Sequence, residues 1–216
     1  MKLVDVTNWN RKEHFEFFSS FANPQLNIVA QVDCTKAYNE AKLNGHSFFA
    51  SYLHKSMKAV NSIKEFRYRI IENKVYELDV IHAGSTIARA DGTFAFGLIP
   101  YSPDFHEFST SLKNEIQNVQ NSQGLRLGIE EEKVDLIRHT TLPWIHFTGI
   151  MHPTKLDKTD SVPKISFGKM KEEAGRLMMP VSVEAHHGLI DGFHVSLYFD
   201  EFQKLLNLCH KESFIR

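Results

Sequence analysis

Cysteine is almost missing from this chain of 216 residues: only Cys34 and Cys209 occur, far apart and in no Cys-x-x-Cys spacing. That scarcity excludes a disulfide framework and a thiolate metal knot, and it fits a reducing compartment. A surplus of either charge is also missing, because 25 Lys and Arg stand against 26 Asp and Glu for a formal net charge of −1. Such a balance leaves no basic footprint for nucleic acid. No apolar run approaches the length of a membrane span, and Met1-Lys2-Leu3-Val4-Asp5-Val6 lacks the apolar core of a secretory leader. The expectation is a cytoplasmic protein with free thiols and neither membrane nor nucleic acid as partner. No Pro/Gly/Ser-rich linker, repeat or low-complexity tract interrupts 1–216, so one domain is the simplest organisation, and 42% hydrophobic content suffices for a substantial core.

What is present alternates between helical and extended patterns. Residues 11–19 and 35–44 read as helices, the second ending at Gly45, with a strand through Leu26-Asn27-Ile28-Val29-Ala30-Gln31-Val32 between them. Ser47 is placed to cap a helix whose Phe49, Leu53, Met57 and Val60 form one apolar stripe. Strands are expected at 66–71, 75–78, 85–90 and 93–98, with Asp91-Gly92 as the turn of a hairpin. Ser102 as N-cap and Pro103 at the first position open a further helix, buried through Phe105, Phe108, Leu112, Ile116 and Val119 and ending near Gly124. Strands at 134–141, 145–150, 164–170 and 180–185 precede a last helix carrying Val195, Tyr198, Phe199, Phe202, Leu205 and Leu206. Glu130-Glu131-Glu132 reads as a solvated turn and 155–160 as a charged loop. The class is α+β, a two-layer mixed β-sheet covered by helices.

Reactive residue types concentrate in His186-His187-Gly188-Leu189-Ile190-Asp191-Gly192-Phe193-His194, at a strand-to-helix corner. Gly188 and Gly192 there permit dihedrals or close approaches that a Cβ would obstruct. Asp191 stands four residues beyond His187, where the coming helix dipole favours a carboxylate. An imidazole near neutrality can take a proton from a hydroxyl and return it, which makes His187 the candidate general base. One histidine among twelve is more often structural than catalytic, and it is the combination with Asp191 and two glycines that carries weight. Adjacent histidines on a strand point to opposite faces and no His-Glu-x-x-His helix is present, so no metal is expected and His186 reads as a structural neighbour. Cys34 has nothing nearby in sequence to activate it.

The run from His186 to Val195 resembles the active-site signature of the chloramphenicol acetyltransferases, His-His-x-x-x-Asp-Gly-Phe-His-Val. Trp9-Asn10-Arg11-Lys12-Glu13-His14-Phe15-Glu16 is similar to that family's amino-terminal segment, and Glu65-Phe66-Arg67 and Leu142-Pro143-Trp144 match further landmarks in order. The resemblance implies an acetyl-coenzyme A-dependent O-acetyltransferase, a homotrimer with sites at its subunit interfaces, and acetyl-CoA as co-substrate without a metal. Position by position, it makes His187 the base, Asp191 a supporting carboxylate paired with Arg11, and Thr140 the oxyanion donor in place of a serine. Ser166 keeps the hydroxyl of a threonine that reaches the intermediate through water, and Lys169 falls near the coenzyme's phosphates. Phe18, Pro24, Leu26, Ala88 and His152 fall on the positions that wall the acceptor, chloramphenicol or a similar hydroxyl compound. Ala88-Arg89 departs from the usual Phe-His, which opens the pocket and removes apolar contact. A dihydrolipoyl-type thiol acceptor, and a non-catalytic binding protein on this fold, are the alternatives.

Overall fold

The computed structural model describes residues 1–128, 133–153, 157 and 159–208. In chain order the elements are β1 (Lys2–Leu3), α1 (Lys12–Ser19), β2 (Gln25–Asp33), α2 (Thr35–Leu43) and α3 (Phe48–Ser62). There follow β3 (Tyr68–Ile71), β4 (Lys74–Glu77), β5 (His82–Ala88), β6 (Phe94–Ile99) and α4 (Phe105–Gln120). The last third holds β7 (Leu136–Leu142), β8 (Lys164–Gly168), β9 (Lys171–Glu173), β10 (Arg176–His186) and α5 (Gly192–Leu206). The large sheet runs β2-β10-β8-β7-β5-β6 with β9 beside β10, and a small sheet runs β1-β4-β3. Within the large sheet β5, β7 and β8 are parallel neighbours and the other pairs antiparallel, which is the mixed sheet expected of the sequence.

Strand alternation gives the sheet two different faces. On β8, Ile165 and Phe167 are fully buried, and the Phe167 ring meets Tyr52 of α3 at 4.8 Å and Phe202 of α5 at 6.1 Å. On β7, the Thr141 hydroxyl meets the Tyr52 hydroxyl at 3.2 Å. Their neighbours in sequence, Ser166 and Thr140, therefore face away from the helices. Register pairs Thr140 with Ser166 and Ser166 with Ser182, so a row of hydroxyls crosses three strands on that second face. The segment between β7 and β8 lies over it: Asn27 Nδ2 donates to the Ile150 carbonyl at 2.9 Å, Gln25 Nε2 to the Asp160 carbonyl at 2.8 Å, and Arg138 pairs with the Asp160 carboxylate at 3.0 Å.

Several local expectations hold in detail. Ser47 accepts the Ala50 N–H at 3.3 Å to cap α3, and Leu53, Met57 and Val60 are wholly buried. Gly92 takes a φ of +82°, and the loop closes through Arg89 N–H to the Thr93 carbonyl, so the turn spans 89–93, with β5 ending at Ala88 and β6 starting at Phe94 rather than at 90 and 93. Others are corrected. Asp104, not Ser102, caps α4 because its carboxylate accepts the Glu107 N–H at 2.9 Å, and Pro103 lies before the helix. That helix ends at Gln120, capped by Asn121. Lys64–Arg67 form a 3-10 turn ahead of β3. The expected strand at 145–150 is a turn and coil, with Ile145 exposed and its N–H returned to the Leu142 carbonyl. Glu130-Glu131-Glu132, Lys155 and Cys209 lie outside the described residues.

Arg69 ties the two sheets together. It is fully buried, and its guanidinium donates to the carbonyls of Phe66, Tyr68, Val134 and Leu136, fixing the start of β7 against β3. Burial pulls its pKa down to about 9, opposed by Asp135 and Asp160. Arg69→Met strips four acceptors, three of them buried, of their donor and should cost about 3 kcal/mol or more in urea unfolding; a change below about 0.5 kcal/mol would show that water replaces the guanidinium.

Candidate active site

β10 ends at His186, and the chain turns through His187-Gly188-Leu189-Ile190 to Asp191, which caps α5. The Asp191 carboxylate is used on both oxygens. Oδ1 accepts the N–H groups of Phe193 and His194 at 3.0 and 3.3 Å, and Oδ2 accepts Arg11 Nη1 at 2.5 Å. His194 Nδ1 lies 2.7 Å from Oδ1 and accepts the Asp191 backbone N–H at 3.3 Å, the reciprocal half of the helix cap. Its Nε2 faces Glu65 across 3.7 Å. Burial opposes ionisation of Asp191, yet the Arg11 hydrogen bond and the charge of His194 hold its pKa down to about 2.

Arg11 also places Nη2 3.5 Å from the His187 carbonyl, so one guanidinium touches both ends of the corner. His187 donates its backbone N–H to the Pro24 carbonyl at 2.8 Å, and its ring stacks on Phe18 with centroids 3.9 Å apart. Nδ1 lies 3.3 Å from the Ile190 carbonyl. Leu26 is the register partner of Ala185, one residue before the histidine pair. His186 is buried and accepts the Gly188 N–H at 3.1 Å, a structural role. A Cβ on Gly188 would sit 3.0 Å from the His186 ring and 3.2 Å from the Phe15 Cα, a tight fit that a neighbour would have to relieve by a small shift. At Gly192 the nearest atom to a Cβ is 3.9 Å away, so that glycine is not needed for space, and its φ is not positive.

The remaining candidates gather elsewhere. Thr140 and Ser166 are register partners on the second sheet face, and Ser166 Oγ lies 2.9 Å from His152 Nε2. Lys169 follows the end of β8 and is exposed, while Ala88 ends β5 at an exposed position. Ser182, opposite Ser166, stands five residues before His187 on an extended strand, which separates the two groups by about 16 Å. Among the described residues, no hydrogen bond joins His187 to Thr140 or Ser166. Cys34 is sealed off, its thiol donating to the Leu177 carbonyl at 3.0 Å and pushed by burial up to about 12. No group of three potential metal-binding side chains occurs among the described residues, and no described helix is long and apolar enough to cross a membrane.

Residues 1–203 match the family described as Chloramphenicol acetyltransferase. The chain belongs to that family. Its members are acetyl-coenzyme A-dependent acyltransferases, and this chain is an enzyme of that class. Chloramphenicol acetyltransferases of Clostridium perfringens and Escherichia coli are 27% and 28% identical to it, covering 94% and 93% of this chain and 93% and 91% of their own. A solved chloramphenicol acetyltransferase structure superposes with a TM-score of 0.89 at 34% identity, over 95% of this chain and 99% of that one. The dihydrolipoamide acetyltransferase of Azotobacter vinelandii shares the fold at a TM-score of 0.66 and 14% identity, over 90% of this chain and 86% of its own.

Two features of this family member's site escaped the sequence reading. His194 and Glu65 extend the polar cluster around Asp191; both lie in runs matched to the family, but neither was given a role, and the Asp-x-x-His spacing is that of a capping box. A buried pair, Lys164 Nζ to Glu184 Oε1 at 2.5 Å, lies between β8 and β10 beside Asn27. Because the folded pKa of Asp191 is held below the ordinary value of 3.8, its stabilisation is present above that pH and lost as pH falls through about 2. Asp191→Asn keeps the cap but removes the charge. It should lower stability by about 2 kcal/mol at pH 7, with the deficit shrinking below pH about 4; a deficit independent of pH would mean that shape, not charge, is what matters.

Proposed function

We propose that the chain transfers acetyl from acetyl-coenzyme A directly to an acceptor hydroxyl, with His187 as general base. The observation that carries this reading is the 3.3 Å approach of His187 Nδ1 to the Ile190 carbonyl. A carbonyl can only accept, so the ring carries its hydrogen on Nδ1 and keeps a lone pair on Nε2 for the acceptor. Stacking on Phe18 fixes the ring plane, and the Arg11–Asp191 pair fixes the corner. The acceptor oxygen attacks the thioester carbonyl while its proton passes to Nε2. Collapse of the tetrahedral intermediate breaks the carbon–sulfur bond, and the proton moves on to the coenzyme thiolate. Thr140 donates its hydroxyl to the oxyanion, Ser166 supports it through water, and Lys169 meets the coenzyme phosphates.

The acceptor is chloramphenicol or a similar small hydroxyl compound, held by Phe18, Pro24, Leu26, Ala88 and His152. The protein works in the cytoplasm as a homotrimer in which His187 of one subunit meets Thr140 and Ser166 of the next. Support for the assembly comes from the 16 Å problem: an intact site needs the two groups from different chains, and a ring supplies each subunit with a neighbour on both sides.

Release of coenzyme A thiol from acetyl-coenzyme A should depend on chloramphenicol and fall roughly a thousandfold or more in His187→Ala. Undiminished turnover in that variant would sink the mechanism, and release only with other acceptors would move the substrate assignment. Mixing provides a separate check on the shared site. His187→Ala and Thr140→Ala chains, each nearly inactive alone, should regain about a quarter of wild-type activity when unfolded and refolded together, because random assortment pairs an intact histidine with an intact threonine in that share of sites. No recovery on mixing would place both residues in one chain's site.

A further inference from the structure

Ser166 is almost completely buried, and its hydroxyl has a protein partner that the direct chemistry does not require: His152 Nε2 at 2.9 Å. The two arrive from different places, Ser166 from the middle of β8 and His152 from the segment laid over the second sheet face. The neighbouring hydroxyl is committed elsewhere, since Ser182 donates to Asn27 Oδ1 at 2.8 Å. Glu184 and Lys164 act on the ring electrostatically, and these are paired with each other at 2.5 Å. Burial lowers the pKa of His152, Glu184 opposes and Lys164 adds to that shift, so the ring is neutral at pH 7.

A neutral imidazole has one N–H and one lone pair, so its tautomer decides what Ser166 shows to the site. If Nε2 accepts, the serine hydrogen is spent on the ring and only oxygen lone pairs face outward. If Nε2 carries the hydrogen, the serine oxygen accepts it and the serine hydrogen is free to reach a water beside the oxyanion. Only the second arrangement lets Ser166 act as a donor toward developing negative charge.

We propose that His152 is a positioning residue that, by donating from Nε2 to Ser166 Oγ, turns the serine hydroxyl toward the reacting centre. This rests on the reaction proposed above and adds a second histidine to it, one that touches neither the acceptor oxygen nor the coenzyme. The transition state is stabilised through the pair, and ground-state binding of acceptor is not. His152 is thus more than a wall of the acceptor pocket.

The test is a double-mutant cycle on coenzyme A release, using Ser166→Ala, His152→Leu and both together. Each single change should lower kcat about tenfold, with the acceptor KM within about twofold in Ser166→Ala and any rise in His152→Leu reflecting its lost wall contact, and the double should lose about tenfold in kcat as well, since the second change removes a group already idle. His152→Gln, whose amide nitrogen reaches about as far as Nε2, should recover most of the loss. A double variant about a hundredfold slower, or a KM that rises while kcat stands, would overturn the proposal by making His152 an independent or merely lining residue. Nitrogen NMR of the His152 imidazole separates this from failure of the reaction itself. Even if wild-type protein released no coenzyme A with any acceptor, the ring should show a protonated Nε2 at pH 7 whose shift moves in Ser166→Ala. A ring protonated on Nδ1 instead, or a shift indifferent to Ser166, would overturn the coupling.

Discussion

The hydrogen bond from Arg11 to Asp191 joins residues 180 positions apart, and the corner that bears His187 depends on it. A buried ion pair by itself is a weak source of stability, because desolvation can exceed the attraction. What makes this one worth keeping is that the carboxylate has no oxygen left idle: backbone donors of α5 and His194 occupy one, Arg11 the other. The same guanidinium reaches the His187 carbonyl, so the first helix, the last helix and the end of the longest strand meet at one cation. Loosening it frees the turn between β10 and α5, and with it a constraint that acts on the histidine alongside Phe18 and the Ile190 carbonyl.

The large sheet divides its labour by face. The face under α3 and α5 is filled by Ile165, Phe167, Val181 and Val183, where volume and fit dominate. The opposite face carries Thr140, Ser166, Ser182, Glu184 and Lys164, all but Thr140 buried under the covering segment. Polar groups cost free energy there unless they are matched, and the matches are specific: lysine to glutamate, serine to asparagine, serine to histidine. A stretch of strand that spends its alternate positions this way gives up hydrophobic burial in exchange for fixed donors, which an apolar face could not offer to an oxyanion.

Features governed by near neighbours in sequence were legible in advance. Ser47 before an apolar stripe, Asp91-Gly92 between alternating runs, and Asp191 ahead of α5 each satisfy a local rule, and each stands where that rule puts it. Ser102 and Asp104 both offer a capping oxygen, and no local rule says which reaches the third N–H; Asp104 does. The run Ile145-His146-Phe147 has the composition of a strand, but only Phe147 finds cover, because the backbone folds back on Leu142 and presents Ile145 to Lys169. The pairing of Lys164 with Glu184, and of Ser166 with His152, depends on antiparallel register and on where a covering segment lands. Neither is encoded at any spacing a sequence pattern registers. The candidate residues, and an expected sharing of the site between subunits, came through family resemblance, while strand register adds the separation of His187 from Thr140 and Ser166 along β10.

That division has a further physical consequence. Next to the His187 group, Phe17 and Phe21 project exposed rings around the stacked Phe18; next to the Thr140 group, Trp144, Ile145 and Met151 are likewise exposed. Isolated apolar side chains on a surface call for no explanation, but two clusters of large ones, each bordering half of a site, do. The clusters differ in composition, phenylalanines in one and tryptophan, isoleucine and methionine in the other. In the proposed ring, a head-to-tail contact of one chain's phenylalanines against the next chain's tryptophan and methionine would use both clusters. On the proposed reading, the surface that hides these side chains is the same surface that brings Nε2 of His187 to the hydroxyls of Thr140 and Ser166. Stability of the assembly and completeness of the site would then rise and fall together, and water would be excluded from the reacting atoms by the very contacts that hold the subunits.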